Sequence, residues 1–146
     1  MLIPNAPVSF SSVTDGLSNV LLLSEISTFA VDSAGKKRRI DAGNTTGSFL
    51  AGTSALNTPP YYVGPSPASI PPSYNLTTIR YALNTVNYSL PGVFESTGPN
   101  NPLASEHPGG VDACFADGSV RLISDSVSML VLKRMATRDD GGIIAD

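Results

Sequence analysis

The sequence predicts an α+β domain in which an antiparallel sheet of about four or five strands packs against a C-terminal helix. Three observations support this class. The thirteen glycines and twelve prolines indicate many turns and few long helices. Apolar and polar residues alternate at 111–116, which is typical of a half-buried strand. Apolar residues recur at helical spacing between 127 and 135, which predicts an amphipathic helix.

Length and composition limit the possible functions. A chain of 146 residues fits one domain, and we expect residues 1–146 to form it. The net charge of −3 gives no electrostatic support for nucleic-acid binding. Cys114 is the single cysteine, so neither an intrachain disulfide nor a multi-cysteine zinc site can form.

The sequence also bears on membranes and export. No apolar run approaches the roughly 18–20 residues that a membrane span requires, so we expect no membrane partner for this chain. Residues 1–12 have neither a basic n-region nor a long apolar h-region and do not resemble a signal peptide. The expectation is therefore a chain without an export signal of its own.

The first predicted elements lie between residues 13 and 29. Thr14 or Asp15 can act as an N-cap, because its side-chain oxygen can accept a free backbone N–H, and a short helix would follow. The apolar run Val20–Leu23 predicts a buried strand that continues to about Phe29. Glu25 follows this run, and a buried carboxylate needs a partner.

We expect the partner of Glu25 to be a cation in a structural ion pair. The candidates are Arg80, Arg121 and Arg138.

The middle of the chain is predicted to be mostly irregular. Lys36–Arg39 is expected at a loop tip, and Ser48–Leu50 forms a weak strand candidate. Thr58–Ser73 contains six prolines and cannot be a regular helix, so we expect an extended surface loop. Thr77–Leu83 alternates and is rich in β-forming residues, which predicts a strand. Asn84–Leu103 is predicted to be another loop.

The C-terminal part begins with a predicted hairpin. In the strand at 111–116, Val111, Ala113 and Phe115 should face the core. Asp117-Gly118 predicts a two-residue turn, because glycine adopts positive φ at little cost. Ser119–Ile123 should then return antiparallel.

A helix is predicted to follow the hairpin, capped by Ser124 or Asp125 and ending near Ala136. Basic residues near its end, Lys133, Arg134 and Arg138, suit the helix dipole. Residues 137–146 are expected to form a flexible tail. The predicted apolar face of the helix consists of Val127, Leu130, Val131 and Met135.

Three separated segments carry a resemblance to a known family. Residues 14–25 resemble a T-D-G-x-S-N-T-hydrophobic-x-x-x-E motif, and residues 107–123 resemble an H-x-G-G-x-N-x-x-x-x-D-G-S-V-x-F block. Residues 132–142 resemble a closing L-x-x-L-x-T-R-x-x-G-E motif. In this order the segments resemble the prepilin-like H-x9-DG family, abundant in planctomycetes and described as domain of unknown function 1559.

This resemblance implies a fold, a location and a mode of action. Family members resemble type IV pilins and the pseudopilins of type II secretion. The chain is thus expected to be a pilin-like globular head without the N-terminal hydrophobic helix, located in the cell envelope or outside the cell. The implied role is non-enzymatic and depends on self-assembly or protein partners. Val20, Asp112 and Ile143 stand where the family pattern has Thr, Asn and Glu.

The motif residues are expected to serve the structure, through turns, caps and backbone hydrogen bonds. They are Asp15, Gly16, Ser18, Asn19, Glu25, His107, Gly109, Gly110, Asp117, Gly118, Thr137 and Arg138.

His107 and Asp117 are the natural pair for a chemical site. Nine residues of strand span roughly 30 Å, so the two side chains meet only if the intervening loop folds back. Three interpretations remain open: His107 and Asp117 hold turns, they contribute to a metal or ligand site, or His107 serves a hydrolase. One histidine with carboxylates is a sparse ligand set for a transition metal, and no Ser or Cys nucleophile completes a triad pattern.

Calcium is the one cofactor that the sequence suggests, and otherwise we expect none. Asp112, Asp117, Asp139 and Asp140 could supply hard oxygen ligands, although no EF-hand spacing is present. A second functional hypothesis is a soluble module that binds glycan, calcium or protein through the 58–73 and 84–103 loops.

Overall fold

The computed structural model describes residues 7–27, 29–39, 52–53, 73–74, 77–91, 93 and 100–142. After a single 3-10 turn at Phe10–Ser12, this part of the chain forms short strands and one helix. In chain order they are β1 (Leu21–Ser24), β2 (Phe29–Val31), β3 (Lys37–Arg39), β4 (Gly52–Thr53), β5 (Ser73–Tyr74), β6 (Gly110–Phe115), β7 (Val120–Ser124) and α1 (Met129–Ala136).

The fold is mixed α+β, as the sequence predicts, but the strands do not form one sheet of four or five. In the described residues β1, β6 and β7 form a three-stranded antiparallel sheet with β6 in the centre. β2 pairs with β3, and β4 pairs with β5, each as a separate two-stranded antiparallel ribbon. The predicted single sheet of four or five strands is therefore wrong for the described residues, in which β2 and β3 form a ribbon of their own and β2 makes one further isolated parallel bridge, between Val31 and Asn87.

The core lies against the inner face of β6. Val111, Ala113 and Phe115 are each at most 2% exposed, which confirms the alternation predicted from the sequence. In the sheet register Phe115 lies opposite Leu21 of β1, and Val111 lies opposite Ile123 of β7. Because directly paired residues point to the same face, all three strands contribute to one core.

The hairpin between β6 and β7 has a three-residue loop rather than the predicted two-residue turn. The N–H of Phe115 donates to the carbonyl of Ser119 at 2.9 Å, which leaves residues 116–118 between the paired ends. Gly118 has a φ of +85°, and its N–H donates to the Phe115 carbonyl at 2.9 Å. The positive φ comes third in the loop, which is the position that a G1 bulge requires.

The C-terminal helix begins four residues after the predicted cap. Ser128 is the N-cap, and its Oγ accepts the N–H of Val131 at 3.2 Å. Ser124 instead ends β7, and the N–H of Asp125 donates to the carbonyl of Gly109 at 3.0 Å. Because β7 extends through Ser124, the helix does not begin there. Lys133 and Arg134 lie in the last turn, as predicted.

The predicted apolar face of the helix is wrong in two positions. Leu132 is 1% exposed and lies in the main core, whereas Leu130 is 60% exposed. Val127 precedes the helix, although it packs against the core together with Met129 and Met135. The core-facing positions Met129, Leu132 and Met135 recur at intervals of three residues, so the face that meets the core passes through Leu132 instead of Leu130.

Four further sequence predictions are corrected by the structure. Residues 14–19 form turns instead of a short helix, and the strand predicted to reach Phe29 ends at Ser24. Residues 77–83 contain no strand; Ile79 packs against the core without a β partner. Lys37–Arg39 is strand β3 rather than a loop tip, and Arg38 pairs with Asp32 at 2.7 Å.

Some predictions lie outside the described residues. These are the strand at 48–50, residues 58–72 of the proline-rich loop and residues 143–146. Within the described ranges, no helix has the length and apolar character to cross a membrane.

The outer face of the three-stranded sheet carries exposed apolar side chains. Leu23 of β1 and Val120 of β7 both pair with Cys114 of β6, so the three residues form one row across the sheet. Leu23 and Val120 are 59% and 66% exposed, and Leu122 beside them is 54% exposed. The outer face thus carries a row of exposed apolar side chains beside Asp112, whereas the inner face is buried.

Truncation of two leucines in the helix tests the position of the core. Leu132→Ala should lower the free energy of unfolding by about 2–5 kcal/mol, because it removes a fully buried side chain and leaves a cavity. Leu130→Ala is the matched control in the same helix and should change it by less than about 0.5 kcal/mol. Urea unfolding of both variants measures the difference. Equal effects would contradict the observed helix orientation.

Candidate functional site

The first motif of the sequence is joined to the last by the carboxylate of Asp15. Its Oδ2 accepts the N–H of Asp140 at 2.9 Å, and its Oδ1 accepts the N–H of Gly141 at 3.0 Å. The N–H of Asp15 donates in return to the carbonyl of Arg138 at 3.1 Å. We call these three hydrogen bonds the Asp15 clasp; it connects segments that are more than 120 residues apart in sequence.

The residues beside Asp15 hold the turn that presents it. Gly16 has a φ of +91°, and its carbonyl accepts the N–H of Asn19 at 3.0 Å. The Nδ2 of Asn19 donates to the carbonyl of Asp15 at 2.8 Å, while the carbonyl of Ser18 accepts from Arg121. The predicted N-cap role of Asp15 is wrong, because its side chain bonds to a distant segment.

The other half of the clasp is a turn stabilised by its own side chains. Thr137 Oγ1 donates to Asp140 Oδ2 at 2.8 Å, and Asp140 Oδ1 accepts the N–H of Gly142 at 2.6 Å. The hydrogen bonds from Gly142 and Thr137, in that order, hold the pKa of the Asp140 carboxyl below its ordinary value. Residues 137–142, predicted as the start of a flexible tail, are thus bonded to Asp15 and to one another.

Glu25 lies at a second junction of motif residues. Its Oε2 accepts the backbone N–H of Asp112 at 2.9 Å, and its Oε1 lies 3.2 Å from Nε2 of His107. The prediction of an arginine partner is wrong. The pairing of β1 with β6, in which Ser24 lies opposite Ala113, places the N–H of Asp112 beside Glu25, and His107 reaches Glu25 from the loop before β6.

The three arginines proposed for Glu25 have other contacts. Arg121 lies over the Phe115 ring at 3.8 Å, and Arg80 lies over the Tyr81 ring at 5.7 Å. Arg138 pairs with the adjacent Asp139 at 3.5 Å.

The environment of Glu25 favours its ionised form. The backbone N–H of Asp112 has the largest effect in lowering the pKa of the Glu25 carboxyl below its ordinary value. Partial desolvation opposes this effect, whereas the Ser105 hydroxyl and His107 reinforce it. Glu25 therefore carries a negative charge at neutral pH, and its side chain is 37% exposed.

The loop that carries His107 is fixed by backbone hydrogen bonds. The N–H of His107 donates to Oγ of Ser105 at 3.0 Å, and the N–H of Ala104 donates to the carbonyl of Glu25 at 3.1 Å. Asn84 Oδ1 accepts the N–H of Ser105 at 2.8 Å. Sequence reasoning missed Ser105 and Asn84, because they lie outside the motifs and no spacing links them to Glu25.

The two glycines after His107 are required by the geometry. Gly109 has a φ of +89°, a conformation that few other residues adopt at low cost. A Cβ on Gly110 would overlap the carbonyl of Ile123, because β6 and β7 approach closely there.

His107 and Asp117 do not form a site together. They flank β6 at opposite ends, and the carboxylate of Asp117 accepts the N–H and hydroxyl of Ser119 at 2.9 and 2.7 Å. These bonds, the hydroxyl first, hold the pKa of the Asp117 carboxyl below its ordinary value. Asp117 thus acts in the hairpin loop, as the structural interpretation of the motif predicts.

The four aspartates proposed for calcium are not brought together in the described residues. Asp112 joins Glu25 and His107, whose potential ligand atoms all lie within 4.8 Å of one another. Asp117 is at the far end of β6, and Asp140 belongs to the Asp15 clasp.

The fold and these junctions define a small α+β domain whose three sequence motifs meet in space through hydrogen bonds. The chain matches the family described as "Protein of unknown function (DUF1559)" over residues 1–130, and it belongs to that family. The resemblance inferred from the three motifs is thereby confirmed. Neither a curated protein nor a solved structure matches the chain.

Removal of the Asp15 carboxylate tests the clasp. Asp15→Ala should lower the free energy of unfolding by about 1–3 kcal/mol, because two backbone N–H groups lose a charged acceptor. Asp139→Ala, which removes only an ion pair with the neighbouring Arg138, should change it by less than about 0.5 kcal/mol. Urea unfolding compares the two variants. An Asp15→Ala protein as stable as Asp139→Ala would contradict the clasp.

The lowered pKa of Glu25 predicts a pH-dependent stability difference. A depressed carboxyl pKa stabilises the folded state above the ordinary pKa of about 4.3, and this contribution is lost as pH falls through the lower folded value. Glu25→Gln should therefore be less stable than wild type at pH 7, by under about 1 kcal/mol given the exposure of Glu25. The difference should shrink below about pH 4.3.

Urea unfolding between pH 3 and pH 7 measures this difference. Glu106→Gln is the control, since Glu106 is 84% exposed and pairs only loosely with Lys37 at 3.6 Å. A stability difference for Glu25→Gln that is as large at pH 3 as at pH 7 would contradict the prediction.

Proposed function

We propose that this protein is a non-enzymatic component of the cell envelope or the extracellular surface, a pseudopilin-like head that acts through assembly or protein contacts. The proposal rests on membership of the DUF1559 family over residues 1–130, which contain the first two motifs, and on the resemblance of residues 132–142 to the closing motif of that family. An α+β domain with a three-stranded antiparallel sheet and a C-terminal helix is compatible with such a head.

The observation that carries the proposal is the use of the motif side chains inside the fold. Asp15 holds the C-terminal turn, Asn19 holds its own turn, and Asp117 holds the hairpin loop. Glu25 accepts a backbone N–H from β6. Groups that are engaged in this way serve backbone geometry, so the recurrence of the motifs is explained without a reaction.

The contacts of His107 favour this role over a hydrolase. In a catalytic triad the nucleophilic hydroxyl bonds to the imidazole, and the imidazole bonds to a carboxylate. Here the Ser105 hydroxyl interacts with Glu25 and accepts the backbone N–H of His107. The His107 imidazole therefore contacts a carboxylate, that of Glu25, as a triad histidine does. The Ser105 hydroxyl does not bond to the imidazole, so it is not arranged to transfer a proton to it.

The exposed apolar row of the sheet also supports a role that depends on contacts. Leu23, Val120 and Leu122 form an exposed apolar patch on the outer face of the sheet. Contiguous exposed apolar surface of this kind is typical of proteins that contact another surface.

The location can be tested in the cells that produce the protein. Lys36, Lys37 and Lys133 are exposed, so an amine-reactive biotin reagent that cannot cross membranes should label the protein on intact cells. Labelling should be as strong before lysis as after it, whereas a cytosolic control protein should be labelled only after lysis.

Two results would overturn the proposal. Labelling that depends on lysis would place the protein inside the cell. Hydrolysis of an ester, amide or glycoside substrate by the purified chain, lost in His107→Ala and retained in Glu106→Gln, would make it an enzyme.

A further inference from the structure

Glu25, His107 and Asp112 bring three potential metal ligands to one place on the surface. They come from three separate segments: the end of β1, the loop before β6, and β6 itself. One imidazole nitrogen and two carboxylate oxygens lie within 4.8 Å of one another. We propose that these three side chains form a binding site for a divalent transition-metal ion, with Zn²⁺ as the best match.

The donor set favours zinc over calcium and magnesium. Zn²⁺ binds imidazole nitrogen and carboxylate oxygen at about 2.0–2.2 Å, and sites with three protein ligands complete their coordination with water. Ca²⁺ and Mg²⁺ prefer oxygen ligands alone, and calcium takes six to eight of them. His107 would be a poor ligand for either ion, whereas it is an ordinary ligand for zinc, copper or nickel.

Most of the hydrogen bonds that position the three residues use atoms other than the proposed ligands, and the contact between Glu25 Oε1 and His107 Nε2 at 3.2 Å is the one that a metal ion would replace. Glu25 accepts the N–H of Asp112 through Oε2, so Oε1 is the oxygen that faces His107. His107 is held through its backbone N–H, and Glu25 is held further through its carbonyl. In the described part of the chain, no hydrogen bond engages the carboxylate of Asp112. The protein scaffold is therefore formed before a metal binds.

The distances require only local movement. Donors that surround Zn²⁺ as a tetrahedron at about 2.1 Å are about 3.4 Å apart, so the widest pair must approach by about 1–1.5 Å. His107 and Asp112 are exposed, and rotation of their side chains disturbs no core residue. Ordering these exposed side chains opposes binding, so we expect a dissociation constant on the order of micromolar.

A bound ion would tie β1, the 104–109 loop and β6 together at one end of the sheet. Because the unfolded chain does not bring these residues together, binding must stabilise the fold. With free Zn²⁺ at about 100 times the dissociation constant, the melting temperature should rise by roughly 5–10 °C.

Calorimetric titration of ZnCl₂ into the metal-free 146-residue chain tests the proposal. Wild type should bind one ion per chain. Asp112→Asn keeps the size of the side chain and should weaken binding at least tenfold, and His107→Ala should abolish measurable binding. The melting temperature of each variant in EDTA should stay close to that of wild type, because the replaced groups are exposed.

Two control variants separate this site from other zinc ligands. Cys114→Ser removes the single thiol, which lies two residues from Asp112 on β6, and Asp139→Asn removes a carboxylate that pairs with Arg138. Both variants should bind zinc as wild type does. Loss of binding in Cys114→Ser with retention in Asp112→Asn would overturn the assignment.

Other results would also overturn the site. These are the absence of binding heat at millimolar zinc, or an unchanged affinity in both His107→Ala and Asp112→Asn. A calcium-dependent rise in melting temperature without a zinc-dependent rise would exclude the proposed metal. The proposed cell-surface role would survive each of these results, since it does not depend on a metal.

Discussion

Burial of the inner face of β6 is the constraint on which the rest of the structure depends. Val111, Ala113 and Phe115 are nearly inaccessible, and they are covered by residues from β1, β7 and α1. Among the described strands, β6 alone is paired with a strand on each side. Slipping its register by one residue would expose this entire face, so the pairing with β1 and β7 is strongly specified. That register also brings Glu25 next to Asp112.

The Asp15 clasp joins two segments that the strand pairing does not connect. Asp15 and residues 138–141 are distant in sequence, yet each supplies backbone groups that the other satisfies. A turn near the chain's end has few apolar contacts of its own, so charged hydrogen bonds are a suitable means of holding it. This arrangement gives a physical reason for the first and last motifs to occur together: each contains the partner of the other.

Sequence patterns correctly predict the elements whose signals are local. They give wrong predictions where contacts between distant segments determine the structure. The alternation at 111–116 and the glycine after Asp117 correctly placed the hairpin, because side-chain period and positive φ are local properties. The helix start was wrong because Ser124, Asp125 and Ser128 are all acceptable caps, and β7 extends through Ser124. Residues 77–83 have strand composition but no described strand beside them, so composition alone misled.

In the candidate site, too, local patterns are predicted correctly and contacts between distant segments are not. The motif residues were identified from the sequence, but their partners were not. Opposite charge alone predicts an arginine partner for Glu25, whereas the β1–β6 register places the N–H of Asp112 there and the preceding loop places His107. Their shared acidity groups Asp112 with Asp117, Asp139 and Asp140 as calcium ligands. In the fold they are separated by the length of β6 and by the clasp.

The nine-residue spacing between His107 and Asp117 follows from the length of a strand. β6 occupies residues 110–115 of this interval, and the remaining residues form the turns at its two ends. At one end His107 meets Glu25, and at the other Asp117 holds the loop through Ser119. Both polar residues thus mark where the central strand begins and ends. Their spacing is fixed by the span of the buried face between them, and no contact between His107 and Asp117 is needed to explain it.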